Sequence, residues 1–185
     1  MTPSGEMSGQ HETTRQQSKA AWSAVAPGWY AQREELWKAS RPVSEWMIRK
    51  LDPQSGDTVL ELAAGLADTG LMAARLVGES GRLIVTDFTP EMVAAARRRA
   101  RELGVQNAEF RILDAERMDL ETDSVEGVLC SWAFASSRAS RLRCSVEMHR
   151  APSSGIMHRM FVVRRGKRIG KKETNVCARE QGPSA

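Results

Sequence analysis

Three carboxylates and a glycine turn are the residues best suited to do chemistry in this sequence. Glu61 closes the short apolar run Thr58-Val59-Leu60-Glu61-Leu62 and is followed by a small-residue turn from Ala63 to Gly70. Asp87 closes a second apolar run, Leu83-Ile84-Val85-Thr86-Asp87, and Asp114 follows a third, Ala108 to Leu113. A fourth run, Val125 to Trp132, ends on Ser131-Trp132. Acids at successive strand ends, in register with a glycine turn, make a rim that can grip a nucleoside bearing a positive charge. Each acid alone has a plainer reading as a helix cap or turn residue.

These groups need elements to position them. Between the first two runs, Leu71 to Val77 begins a helix with Asp68 and Thr69 at its mouth. Thr89-Pro90-Glu91 opens the next helix, with proline at its first position and an acid at the positive end of its dipole; it runs to Leu103 and stops at Gly104. Strand–helix–strand–helix–strand–strand with short connections predicts an α/β fold, a Rossmann-like doubly wound parallel sheet. Right-handed crossovers bring the strand ends to one edge, where open sheets bind ligands.

The turn discriminates between ligands. A dinucleotide site wants G-x-G-x-x-G, and this chain offers Ala63, Gly65 and Asp68 at those places. Asp68 puts a negative charge where a pyrophosphate would sit on the helix N-terminus. Glu61 or Asp68 suits an ammonium group instead, which favours S-adenosyl-L-methionine over NAD. Asp87, 22 residues beyond Gly65, is expected to accept both ribose hydroxyls. Asp114-Ala115-Glu116 can meet the adenine edge through a side-chain acceptor and a backbone N–H, and Phe88 and Met92 supply apolar faces.

The segments VLELAAGLADTG, VTDFTPEMVAAARRRA, FRILDAERMDL and DSVEGVLCSWAF together resemble class I S-adenosylmethionine-dependent methyltransferases, most of all the ubiquinone/menaquinone-type branch. The resemblance covers roughly residues 20–134. It implies that Glu61 and Gly65 form the glycine-turn motif, that Asp87 holds the ribose, and that Asp114 and Ala115 hold the adenine. It also implies that Ser131 and Trp132 face cofactor and substrate. Ala63 and Ala67 stand where the family has glycines. The acceptor implied is a small molecule, quinone-like or aromatic. No catalytic base is assigned, since His149 and His158 have no partner in the sequence pattern, and no metal pattern is present.

Upstream, residues 1–17 are polar and expected to be disordered. Ser18 to Lys50 has helical spacing, broken at Pro27-Gly28 and restarted at Arg41-Pro42. Trp22, Trp29, Tyr30 and Trp37 are expected to form a lid. Residues 18–134 thus read as N-terminal helices and a cofactor-binding domain.

Residues 135–185 are of another kind. They hold 12 Lys or Arg against 3 Asp or Glu, whereas residues 1–134 hold 15 against 20. The expected helix, Pro-Gly-Gly-like turn and fifth strand are not legible there, and the Ser/Arg bias reads as a frame-disrupted, partly disordered segment. The sheet is therefore expected to be incomplete at its C-terminal strands, with an open edge on the fourth. An alternative is a cofactor-binding scaffold whose basic tail binds nucleic acid. The tail's one aromatic, Phe161, speaks against stacking on bases. No run of about 18 apolar residues exists to insert in a membrane. The three cysteines, Cys130, Cys144 and Cys177, suggest no disulfide framework and hence a reducing cytoplasm.

Overall fold

The computed structural model describes residues 4–115, 124–133 and 159–164. Two helices, α1 (Ser4–Ala31) and α2 (Arg33–Leu51), precede strand β1 (Thr58–Glu61). Then come α3 (Asp68–Val77), β2 (Arg82–Asp87), α4 (Pro90–Glu102), β3 (Ala108–Ile112), β4 (Gly127–Ala133) and β5 (Arg159–Arg164). The sheet order is β3-β2-β1-β4-β5. β1 to β4 are parallel, and β5 runs antiparallel to β4.

The α/β reading of the sequence therefore holds. Two crossovers in the same direction, β1 to β2 and β2 to β3, put α3 and α4 on one face. There Val59, Leu71, Ala74, Leu83, Val85, Ala96 and Ala100 share one core with Met47, Ile48 and Leu51 of α2. Alternate strand residues, Leu60, Ile84 and Cys130, bury with Leu62 in a second cluster on the other face. Strands covered on both faces explain the near-continuous apolar runs. After β3 the chain returns to the far side of β1. The reversal of strand order lies between β1 and β4, the place where such sheets open a crevice at their carboxyl ends.

Three expectations are corrected. First, α1 begins at Ser4, well inside the stretch expected to be disordered. Its polar turns are carried by propensity, by local pairs such as Glu12 with Arg15, and by an ion pair from Arg15 to Asp114. A helix already nucleated by buried Ala26 and Tyr30 also extends at little cost. Second, the helices run through Pro27 and Pro42, and the break falls at Gln32 instead. Each proline forfeits one backbone hydrogen bond, but Gln32 N–H still reaches the Gly28 carbonyl at 3.0 Å. Third, the edge of β4 is not open, because Gly127 to Cys130 pair with Phe161 to Arg164 of β5. The Met-Phe-Val-Val run has the residue types that suit a strand, whatever the charge around it.

Residues 1–3, Glu116, Phe134, Cys144, His149, His158 and Cys177 lie outside the described residues, as does most of the basic segment. Among the described residues no helix is long and apolar enough to cross a membrane.

Two close approaches test the packing. A Cβ on Gly81 would lie 2.7 Å from the carbonyl oxygens of Asp57 and Val77. One on Gly127 would meet only the flexible end of Leu51, also at 2.7 Å. Gly81→Ala should cost about 1–3 kcal/mol in a urea titration, and Gly127→Ala measurably less.

Candidate functional site

The turn after β1 is held from both sides at the strand reversal. Leu62 N–H donates to the Leu129 carbonyl of β4 at 2.8 Å, and Ala64 N–H to the Thr86 carbonyl of β2 at 3.0 Å. The Thr86 hydroxyl donates to the Glu61 carbonyl at 2.8 Å. Within the turn Ala63, Gly65 and Ala67 all have positive φ, at 48°, 55° and 62°. Only Gly65 adopts this region without a Cβ clash. The two alanines at the family's glycine positions therefore carry strain.

Glu61 is wholly buried, and neither carboxylate oxygen has an aligned hydrogen bond among the described residues. It lies against the first turn of α3, so closely that a Cβ on Gly70 would fall 2.2 Å from Oε2. Burial pushes its pKa up to about 8; the backbone N–H of Gly70 opposes this, and the charges of Asp68 and Asp87 add to it. Helix α3 has an alanine, Ala67, as its N-cap, with no side-chain hydrogen bond from that residue. Its leading N–H groups and the buried acid thus face the same small volume.

Asp87 is buried at the end of β2, and both its oxygens are in use. Oδ2 accepts from Gly65 N–H at 3.1 Å. Oδ1 accepts from the Thr89 N–H and hydroxyl, each at 3.0 Å. Thr89 in turn caps α4 by accepting from Met92 N–H at 3.4 Å. The acid expected to await two ribose hydroxyls first ties the glycine turn to the mouth of α4. Oδ1 already accepts two donors, whereas Oδ2, with one, retains a lone pair for a further donor.

Asp68 departs furthest from expectation. Its carboxylate accepts from Arg99 Nε at 2.9 Å, and Arg99 also donates to Glu34 of α2 at 2.6 Å. Burial raises the Asp68 pKa, with the Arg99 hydrogen bond and charge opposing. This cation offsets the repulsion of phosphate inferred from Asp68 alone. A small hollow beside the pair, lined by Trp37, Leu71, Met72, Arg75 and Leu103, belongs to the helical layer.

Asp114 is half-buried, with Arg15 Nε 2.5 Å from Oδ2. Ala115 and Phe88 are half-buried beside these strand ends, whereas Met92 and Ser131 are buried. Of the four lid aromatics, one reaches the turn and a second packs on it. The Trp29 ring would lie 3.7 Å from a Cβ on Gly65, and Trp22 meets Trp29 edge-on at 5.3 Å between centroids. Tyr30 instead donates to Glu102 and lies under Arg98, while Trp37 lines the hollow. Among the described residues no group of three potential ligands could hold a metal.

Sequence reasoning missed Arg99, Gly70 and Arg15. Arg99 was legible, because Met92, Ala96, Arg99 and Leu103 fall on one helical stripe. Gly70, a glycine inside a helix start, was a signal of close approach. For Arg15 no local signal exists, since its partner is 99 residues away.

A family model described as a methyltransferase domain matches residues 53–165, past the point where the motif pattern was expected to stop. The chain is similar to the arsenite methyltransferase of Halobacterium salinarum, with 35% identity over 74 residues, covering 40% of this chain and 19% of that protein. It is similar also to the ubiquinone/menaquinone biosynthesis C-methyltransferase UbiE of Klebsiella pneumoniae, with 33% identity over 80 residues, 43% of this chain and 32% of that one. The chain thus spans a third or less of these curated relatives. A crystal structure of a SAM-dependent methyltransferase from Aquifex aeolicus aligns with a TM-score of 0.48 and 23% identity over 56% of either chain.

Two outcomes follow from the turn. The folded-state pKa of Glu61 lies above the ordinary value of 4.5, so the folded protein keeps a proton that the unfolded chain releases. Its contribution to ligand-free stability is complete below pH 4.5 and is lost as pH rises through about 8. Thermal melts over that range should show the loss, and Glu61→Gln should flatten it. Ala63→Gly should stabilise by about 0.5–1 kcal/mol in denaturant titrations, strain relief outweighing glycine's unfolded-state entropy. Gly65→Ala should destabilise by about 1–2 kcal/mol.

Proposed function

The chain belongs to the methyltransferase-domain family matched over residues 53–165, and from that premise we propose that it binds S-adenosyl-L-methionine across the ends of β1, β2 and β3 and serves methyl transfer to a small-molecule acceptor. The observation that carries this reading is the buried Glu61 carboxylate, without an aligned partner among the described residues, set beside the start of α3, whose N-cap alanine makes no side-chain hydrogen bond. An acid in that place is costly unless a cation completes it. An amino-acid ligand suits it, with its ammonium on Glu61 and its carboxylate on the α3 N–H groups.

The other assignments follow along the rim. Gly65 allows the ligand close to the backbone, with Ala63 bounding the turn. Asp87 accepts from a ribose hydroxyl with the remaining lone pair of Oδ2 while it holds Gly65 and Thr89. Asp114 and the Ala115 N–H take the adenine edge, and Phe88 and Met92 flank the ring. Ser131, at the end of β4, faces the reacting end. Asp68 belongs to the charge balance of α3 through Arg99, one step removed from the ligand. The bound cofactor supplies an electrophilic methyl group. The chain's own part is to orient it and to exclude water, and Trp29 over the glycine turn, backed by Trp22, suits that task. Aromatic cover and the likeness to the quinone-type branch favour a quinone-like or aromatic acceptor.

Calorimetry with adenosylmethionine, adenosylhomocysteine and NAD tests the reading. The first two should bind and NAD should not. Glu61→Gln and Asp87→Asn should each weaken binding by about 10- to 100-fold, as expected for lost charge-assisted hydrogen bonds. Glu61, largely protonated at pH 7, must ionise to take an ammonium, so binding should release protons, visible as heat that varies with the buffer. Tight NAD binding, or no binding by either adenosyl compound, overturns the proposal.

A further inference from the structure

The N-terminal helix reaches the site at a place where a ligand is expected. Arg15 of α1 puts Nε 2.5 Å from Asp114 Oδ2, and both side chains are partly buried, at 30% and 18% exposure. Further along α1 the Ser23 hydroxyl donates to Glu91 at 2.7 Å and Tyr30 to Glu102, so the helix lies along α4 and ends across the tip of β3.

The two ends of α1 are not held alike. Ala26 and Tyr30 are buried, and Trp29 sits over Gly65. Residues 12–21 are exposed apart from Arg15, so little apolar burial holds them down. Arg15 also has a second acid within its own helix, Glu12 at 3.3 Å. It can leave Asp114 without being stranded.

We propose that Arg15 is a latch on the cofactor site: its guanidinium occupies, on the Asp114 carboxylate, the place that the adenine amino group takes, so that cofactor entry displaces the first described turns of α1. The inference rests on the assignment of Asp114 to the adenine. Guanidinium and adenine amino group are both N–H donors, and on Oδ2 of Asp114 they compete for the same position. A ligand that wins must first break the ion pair, and its apparent affinity is lowered by the fraction of molecules latched.

The full-length chain is titrated with adenosylhomocysteine, as wild type, Arg15→Gln, Asp114→Asn and the double variant. A part-exposed ion pair is weak, so Arg15→Gln should tighten binding about two- to fivefold. In the Asp114→Asn background the same change should have no effect. Amides of residues 12–21 should exchange faster in the wild type once ligand is bound, and already fast in Arg15→Gln without it. Unchanged or weaker binding by Arg15→Gln overturns the latch while leaving the cofactor assignment standing. Slower exchange of residues 12–21 on ligand binding also overturns it. Failure of wild type and variant alike to bind adenosylhomocysteine removes the cofactor reading, and the latch with it.

Discussion

A carboxyl group sits at the end of the innermost strand, fully enclosed, with no aligned hydrogen bond among the described residues. Most of the local architecture serves to keep Glu61 there. Gly70 lets the first turn of α3 come against the acid, where any side chain would collide with it. The Thr86 hydroxyl and the neighbouring strands fix its backbone. Leaving such a group without a partner costs stability, and burial offsets part of that by keeping it protonated. A site that departs from the rule of satisfied buried polar groups is a site suited to a ligand.

The other acids of the rim differ from Glu61 in kind. Asp87 braces the turn through Gly65 and braces α4 through Thr89, so the positions of two elements at the strand ends depend on one side chain. Asp68 is taken by Arg99, a nearly buried cation that joins α2, α3 and α4 through Glu34 and Asp68. Asp114 is met by Arg15. Two of the four, Asp68 and Asp114, thus meet a cation, Asp87 meets N–H and hydroxyl donors, and Glu61 is the one furthest from solvent.

The strained alanines fit the same picture. Ala63 and Ala67 keep left-handed backbone angles because flanking hydrogen bonds to β2, and within the turn from Ala67 N–H to the Ala64 carbonyl, over-determine the loop. The turn thus holds its shape with two alanines at left-handed positions, at a cost in stability rather than in geometry.

The four parallel strands, the helices α3 and α4, and the acids at their ends were legible in the sequence, because each depends on periodicity, caps and turn residues only a few positions apart. Thr89-Pro90 starts α4 and Gly104 follows its end for local steric reasons that need no partner. What each acid does was not legible. Glu61, Asp68, Asp87 and Asp114 look alike along the chain, and their differences come from Gly70, Arg99, Thr89 and Arg15. Only Thr89 is close to its acid in a way that local reading anticipates. The unbroken N-terminal helix and the covered edge of β4 were likewise decided by contacts between distant segments, Arg15 with Asp114 and Phe161 to Arg164 with Gly127 to Cys130. Pairing across such separations is set by how the layers pack, which one-dimensional spacing does not contain.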